Sequence, residues 1–232
     1  MAETTASDEV RSKLALAFDV DDLVAAVRLG KAMSPYFGVA KIGLELYTAA
    51  GPDAIGTLIG LGYDVFLDLK LHDIPTTVEK SARVLGALGV SYVTFHAHGG
   101  VKMLEAGVSG LNEGAESAGL PAPNSLAITV LTSDADAPEH ILPKRVGLAV
   151  EAGCTGIVCA VSDLKDVYAY APRLKRVTPG IRFAGGAVHD QARAASPKEA
   201  SDGGSDLLVV GRAVTQAEDP IAAAEQLVAE LS

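Results

Sequence analysis

The feature that most constrains this chain is a strict alternation of two kinds of segment. Eight short runs rich in apolar and β-branched residues recur along its 232 residues: LALAF (14–18), VAKIG (39–43), DVFLDL (64–69), YVTFH (92–96), LAITVL (126–131), GIVCA (156–160), KRVT (175–178) and DLLVV (206–210). Helical patterns such as DLVAAVRLGKAM, VEKSARVLGAL, HILPKRVGLAVEAG and PIAAAEQLVAEL fall between them. Strand followed by helix, repeated, implies a parallel sheet covered by helices. Repetition to eight favours closure, so the expected fold is α/β, an eight-stranded (β/α) TIM barrel. An open doubly wound sheet would carry a G-x-G-x-x-G turn after its first strand, and that position reads FDVDD.

No linker, low-complexity tract or change of composition interrupts the pattern, and barrels of this kind commonly run to ~250 residues. The expectation is therefore a single TIM-barrel domain over 1–232, with the residues before Leu14 forming a short extension, one helix at the barrel bottom. Thr76 with Glu79, and Ser196 with Pro197 and Glu199, have capping-box spacing and predict two helix starts.

Composition narrows the function. The formal charge is -10 and no basic run is longer than PRLKR, which argues against a nucleic-acid or anionic-membrane surface. A few clustered cations can still hold a small anion inside an acidic protein. The segment MAETTASDEV is acidic and polar, and no apolar segment approaches the ~20 residues needed to cross a bilayer; a cytoplasmic protein is expected. Cys154 and Cys159 read as buried, reduced thiols. His96 and His98 resemble a metal-ligand pair, but further ligands at suitable strand ends are not evident, so no metal is expected. His72, His140 and His189 read as residues outside any site.

In a closed barrel the reactive face lies at the carboxyl ends of the strands. The first run ends in Asp19, the second contains Lys41, the third ends with Asp68 and Lys70, the fourth with His96 and the fifth with Thr132, while the seventh leads into Pro179 and Arg182 and the eighth into Gly211 and Arg212. The densest stretch is DLKLHDIPTT (68–77). Alternation on a strand turns Asp68 and Lys70 to one side and Leu67, Leu69 and Leu71 to the other, so the charged pair faces the barrel mouth. In LLVVGRAVT, a glycine straight after a strand lets backbone N–H approach a ligand, and an arginine opening the next turn suits a phosphate. The glycine-containing loop GIRFAGGAVHDQARAAS is too long for a plain connection and fits a lid over a bound anion.

LALAFDV, AKIGLEL, DLKLHDIPTTV, VLTS, TPGIR, DQAR and VVGRAVT together resemble the orotidine 5'-phosphate decarboxylase family, in order and over nearly the whole chain. DLKLHDIPTTV is the most specific of them; the FAGGAVH that follows TPGIR falls where that family varies. The resemblance implies decarboxylation of orotidine 5'-monophosphate to uridine 5'-monophosphate in pyrimidine biosynthesis, by a homodimeric barrel with no metal or organic cofactor. It implies Lys70 as proton donor to carbon 6, between Asp68 of its own chain and Asp73 of the partner subunit. By the same resemblance Asp19 and Lys41 would hold the ribose hydroxyls, Lys41 also joining the charged network, and Ile74 and Thr77 would reach the partner's site. The resemblance further implies that Thr132 contacts the pyrimidine and that Pro179, Arg182, Gln191, Gly211 and Arg212 belong to the substrate and phosphate set. Two other readings stand beside it: a magnesium-dependent sugar-phosphate decarboxylase or aldolase of the same superfamily, whose barrels also carry a D-x-K-x-x-D element, and a non-catalytic nucleotide-binding barrel, which should have lost at least one member of the charged set. The DIPTTV continuation and the intact set Asp68, Lys70 and Asp73 favour the nucleotide enzyme.

Overall fold

The computed structural model describes residues 5–134, 136–183 and 195–231. Eight strands, β1 (Leu14–Ala17), β2 (Val39–Ile42), β3 (Asp64–Leu71), β4 (Tyr92–His96), β5 (Asn124–Ile128), β6 (Gly156–Val158), β7 (Lys175–Thr178) and β8 (Leu207–Val210), close in chain order into a barrel. Each pair is parallel, including the closing pair in which Leu14, Ala15 and Leu16 face Leu208, Val209 and Val210. The fold is the expected TIM barrel.

Helix α1 (Asp8–Ser12) precedes β1, and the Arg11 carbonyl accepts the Gly38 N–H at 2.9 Å just before β2, which places α1 at the amino-terminal end of the barrel. Helix α2 (Leu23–Met33) links β1 to β2 and is capped by Asp22, whose carboxylate accepts the Ala25 N–H at 2.8 Å. Two helices, α3 (Leu44–Ala50) and α4 (Pro52–Gly60), join β2 to β3. The remaining helices are α5 (Pro75–Ala87), α6 (Val101–Ser117), α7 (Ile141–Glu151), α8 (Leu164–Tyr170), α9 (Pro197–Asp202), α10 (Arg212–Thr215) and α11 (Pro220–Leu231).

Two separate apolar cores follow from the period of 2 in the strands. Ala15, Val39, Phe66, Leu126, Val177, Leu207 and Val209 form one cluster, built only of strand residues, that fills the barrel interior. The alternate positions, among them Leu14, Leu16, Ile42, Leu67 and Phe95, join Phe18, Phe37, Leu46, Leu58 and Met103 in the larger cluster between strands and helices. Helices α5 and α6 meet without intervening side chains: a β carbon on Gly110 or Gly114 would collide with the backbone of Glu79 or Arg83. The helix that leaves the DLKLHDIP segment is thereby fixed against its neighbour.

The Ser196 capping box is present, with the Glu199 N–H donating to the Ser196 hydroxyl at 3.2 Å and the Ser196 N–H to the Glu199 carboxylate at 2.8 Å. The Thr76–Glu79 box is not. Pro75 takes the first helical position and holds Ile74 extended at φ -60°, ψ 149°, so the helix begins ahead of Thr76, and Glu79 pairs instead with Arg83 at 3.1 Å. The apolar run LAITVL also outlasts its strand. Strand β5 ends at Ile128, and the Thr129 hydroxyl then donates to the Val158 carbonyl at 2.9 Å, leaving Val130 and Leu131 to turn into the barrel mouth.

Candidate active site

Continuing each strand beyond the interior apolar layer reaches a different chemistry. Where Ala15, Val39, Phe66, Val177 and Val209 fill the lumen, the positions two or four further along the chain are Ala17, Asp19, Lys41, Asp68, Pro179 and Gly211. These residues surround a cleft of about 210 Å³ at the carboxyl ends of the strands, with Lys70, Thr132, Arg182 and Arg212.

Three sectors make up its wall. On the β1–β3 side the charges pair with each other: Lys70 Nζ lies 2.9 Å from both carboxylate oxygens of Asp68, and Lys41 Nζ 3.0 Å from Asp19 Oδ1. Asp68 is mostly shielded, its side chain 15% exposed against 35% for Lys70. A side chain at Gly43 would press on Lys41 Nζ and Asp19 Oδ1, at 3.2 and 3.4 Å from its β carbon, so the glycine keeps room for that pair. On the β5–β6 side the wall is apolar, made by Ile128, Val130, Leu131, Val158 and Cys159, with Phe66 of β3 at its base. On the β7–β8 side stand Pro179, Gly180, Arg182, Gly211 and Arg212. Arg182 is 7% exposed, and its guanidinium donates to the Ile181 carbonyl at 2.8 Å.

The backbone of β3 breaks its ladder at the charged pair. Phe66 and Leu67 face Tyr92 and Val93 in register, but the next partners are Leu71 and Phe95, so three residues of β3 span one of β4. Lys70 adopts φ 51°, the one positive φ at a non-glycine position among the described residues. Such a conformation costs on the order of 1–3 kcal/mol and persists only where the surroundings over-determine it. The residue opposite the bulge, Thr94, is fully buried; its hydroxyl accepts the Lys70 N–H at 2.8 Å and donates to Asp68 Oδ1 at 3.0 Å.

Of the residues singled out in the sequence, Asp19, Lys41, Asp68, Lys70, Thr132, Pro179, Arg182, Gly211 and Arg212 meet at this cleft. Asp73, Ile74 and Thr77 do not line it. They are exposed beyond the end of β3, with the Asp73 carboxylate accepting the Ile74 N–H at 2.6 Å and Ile74 66% exposed. Gln191 and His189, with most of the long loop, lie outside the described residues. The two ends of that loop are tied together, the Arg182 N–H donating to the Ala195 carbonyl at 2.9 Å.

His96 ends β4 as expected but does not line the cleft. It turns toward the rings of His72 and His98, 5.7 and 6.3 Å away, and accepts the His98 N–H at Nδ1. Burial first, then the charges of Arg145, His72, His98 and Lys70, hold the His96 imidazole below its ordinary pKa. Among the described residues no cluster of three or more His, Cys, Asp or Glu side chains is arranged to hold a metal ion. Cys154 and Cys159 are both buried and neither forms a disulfide, and burial pushes the Cys154 thiol up to about 12.

Sequence reasoning overlooked Thr94 and the apolar wall. Thr94 shares the inward parity of Tyr92 and sits where continued β3–β4 register would set it against Asp68, so the ladder of two neighbouring strands, read together, points to it. The apolar wall is foreshadowed by the run LAITVL, which is longer than the strand it supplies.

A barrel mouth that brings together a prearranged ammonium–carboxylate pair, two arginines and apolar side chains is that of an enzyme acting on a small anionic ligand. The chain belongs to the family described as Orotidine 5'-phosphate decarboxylase / HUMPS family, whose model matches residues 12–227. It is 42% identical over 233 residues to an orotidine 5'-phosphate decarboxylase of Moorella thermoacetica, covering 95% of this chain and 92% of that one. An orotidine 5'-phosphate decarboxylase of an Anaeromyxobacter species is 43% identical over 230 residues, with 94% and 98% covered. The crystal structure of orotidine 5'-phosphate decarboxylase from Lactobacillus acidophilus superposes with a TM-score of 0.74 at 34% identity, covering 95% of this chain and 99% of that chain.

Proposed function

We propose that the cleft binds orotidine 5'-monophosphate and that Lys70 protonates carbon 6 as carbon dioxide leaves. The protein is a carboxy-lyase of the orotidine 5'-phosphate decarboxylase family, forming uridine 5'-monophosphate in pyrimidine biosynthesis. The observation that carries the assignment of roles is the Asp68–Lys70 pair at 2.9 Å, held within a cleft that also receives Arg182 and Arg212.

Breaking the bond from carbon 6 to the carboxylate leaves an electron pair in the ring plane, where the ring system cannot readily delocalise it. A fixed ammonium at that point offsets the growing charge without reorganising, and then transfers one proton to carbon 6. Carbon dioxide departs, and the neutral amine regains its proton from solvent. Asp68 holds the ammonium in place, and near the substrate carboxylate it also repels it. Two unit charges ~4 Å apart interact by about 4 kcal/mol at an effective dielectric of 20, whereas enzymatic accelerations draw on roughly 8–23 kcal/mol. Repulsion alone is therefore insufficient, and the prearranged cation and the binding energy of the phosphate and ribose supply the rest.

In this reading the arginine wall and Gly211 take the phosphate, Asp19 and Lys41 the ribose, and Thr132 with the apolar wall the pyrimidine. The position of Asp73, Ile74 and Thr77 outside their own chain's cleft, with Ile74 exposed, supports a homodimer in which these residues complete the partner's site. We read the chain as one domain acting in the cytoplasm; among the described residues no helix is long and apolar enough to cross a membrane.

The test is a spectrophotometric assay of orotidine 5'-monophosphate consumption with a chelator present. Turnover is expected to persist. Its absence, together with metal-dependent turnover of a pentulose phosphate, overturns the assignment. For the dimer, mixing inactive Lys70→Ala and Asp73→Asn chains should restore part of the activity; no recovery despite measured subunit exchange places both residues in one chain's site.

A further inference from the structure

We infer that Thr94 is a positioning residue for the reaction, acting through Lys70 and Asp68 rather than on the substrate. The inference rests on the proposed role of Lys70.

Three β3 residues span one β4 residue between Leu67 and Leu71, so the backbone groups of the bulge lose their regular strand partners. A buried, unpaired N–H is costly, and Lys70 is also held in the left-handed region at φ 51°. The Thr94 hydroxyl answers both demands. Its oxygen accepts the Lys70 N–H at 2.8 Å, replacing the absent strand partner, while its own proton goes to Asp68 Oδ1 at 3.0 Å. One hydroxyl thus fixes the main chain from which the ammonium springs and one oxygen of the carboxylate on which that ammonium rests. Both Asp68 oxygens then hold Lys70 Nζ at 2.9 Å, closing a ring of contacts from Thr94 to Asp68 to the Lys70 side chain and back through the Lys70 backbone.

This ring explains why a threonine stands at a fully buried inward position of β4, where an apolar residue would pack as well. Thr94 does not line the cleft, so its removal disturbs the geometry of proton delivery while leaving the surfaces that bind nucleotide in place. Misplacement of a reacting group by a fraction of an ångström to an ångström is enough to slow a step up to about 100-fold.

Thr94→Val keeps the shape and deletes both hydrogen bonds. Its kcat is expected to fall about 10- to 100-fold, while binding of uridine 5'-monophosphate stays within about threefold. Thr94→Ser, which keeps the hydroxyl, should recover kcat to within about threefold of the parent. Thr94→Cys, a weaker donor and acceptor of similar size, should fall between the two and supplies the measurement if the valine variant does not fold. Unchanged kcat in the valine variant overturns the inference, or in the cysteine variant if valine does not fold; so does equal loss in the serine variant, or a loss confined to nucleotide affinity. Parent and Lys70→Ala proteins measured alongside separate the two ideas. An inactive parent, or a fully active Lys70→Ala, rejects the proposed role of Lys70 itself, whereas an active parent with an inactive Lys70→Ala and an unaffected Thr94→Val rejects only the role of Thr94.

Discussion

The β1–β3 wall and the β7–β8 wall of the same cleft are built on different plans. On the first, cations and carboxylates satisfy one another before any ligand arrives: Lys70 on Asp68, Lys41 on Asp19, with a strained backbone and a buried threonine behind them. On the second, Arg182 and Arg212 line the cleft beside Gly180 and Gly211. The first wall is thus suited to chemistry at a fixed point, because prearranged charge costs little to use in a transition state. The second is suited to anion binding, where guanidinium forks and open backbone N–H groups meet phosphate oxygens. The division predicts that removing the reacting cation of the first wall and removing an arginine of the second will fail in different kinetic parameters.

The largest effect is expected at Lys70. Lys70→Ala should reduce kcat by at least about 10⁴-fold, since it removes both the proton and the stabilising charge, and uridine 5'-monophosphate should still bind. A variant that keeps near-parental kcat breaks the comparison at its strongest point. Next, Arg212→Ala should lower kcat/KM about 100-fold, from the loss of charge-assisted bonds to phosphate, and most of that should appear in KM. A loss of kcat alone would assign Arg212 to the chemical wall. Smaller again, Asp19→Ala leaves Lys41 without its 3.0 Å partner, but the Asp19 side chain is 54% exposed and the pair is screened by water. A rise of about three- to tenfold in KM is expected, with kcat nearly unchanged.

The smallest effect concerns the histidine cluster behind β3. His96 is held below its ordinary pKa chiefly by burial, so the unfolded chain binds the proton more readily than the folded one. The stability contributed by the neutral imidazole is present above about pH 6.5 and is lost as the pH falls through the depressed folded value. The Tm of the parent should therefore drop further between pH 7.5 and pH 5 than the Tm of His96→Gln. Equal drops would show that this cluster does not feel acidification.

Much of the chemical wall was legible in the chain, because Asp68 and Lys70 lie two apart on one strand and alternation alone sends them to the same side. The arginine wall was legible for a different reason: its residues follow directly on strands seven and eight, and such positions converge at one end of any closed barrel. His96 shows where this reading stops. It occupies a strand end of inward parity, yet the chain turns it toward His72 and His98, and the cleft receives Val130 and Leu131 instead. Thr76 shows the same limit at a helix start, where the backbone restriction of Pro75 overrode the spacing of polar side chains.

By itself the amino-acid sequence determined the order and number of the strands, their parallel pairing, and which strand ends carry charge, because these follow from periodicities of 2 and 3.6 residues within single segments. The tertiary structure alone decided the bulge in β3, the left-handed backbone of Lys70 and the hydroxyl of Thr94 that answers them. Those depend on the register between two strands joined through a helix, with hydrogen-bonding residues 24 and 26 apart in the chain, a relation no local pattern encodes.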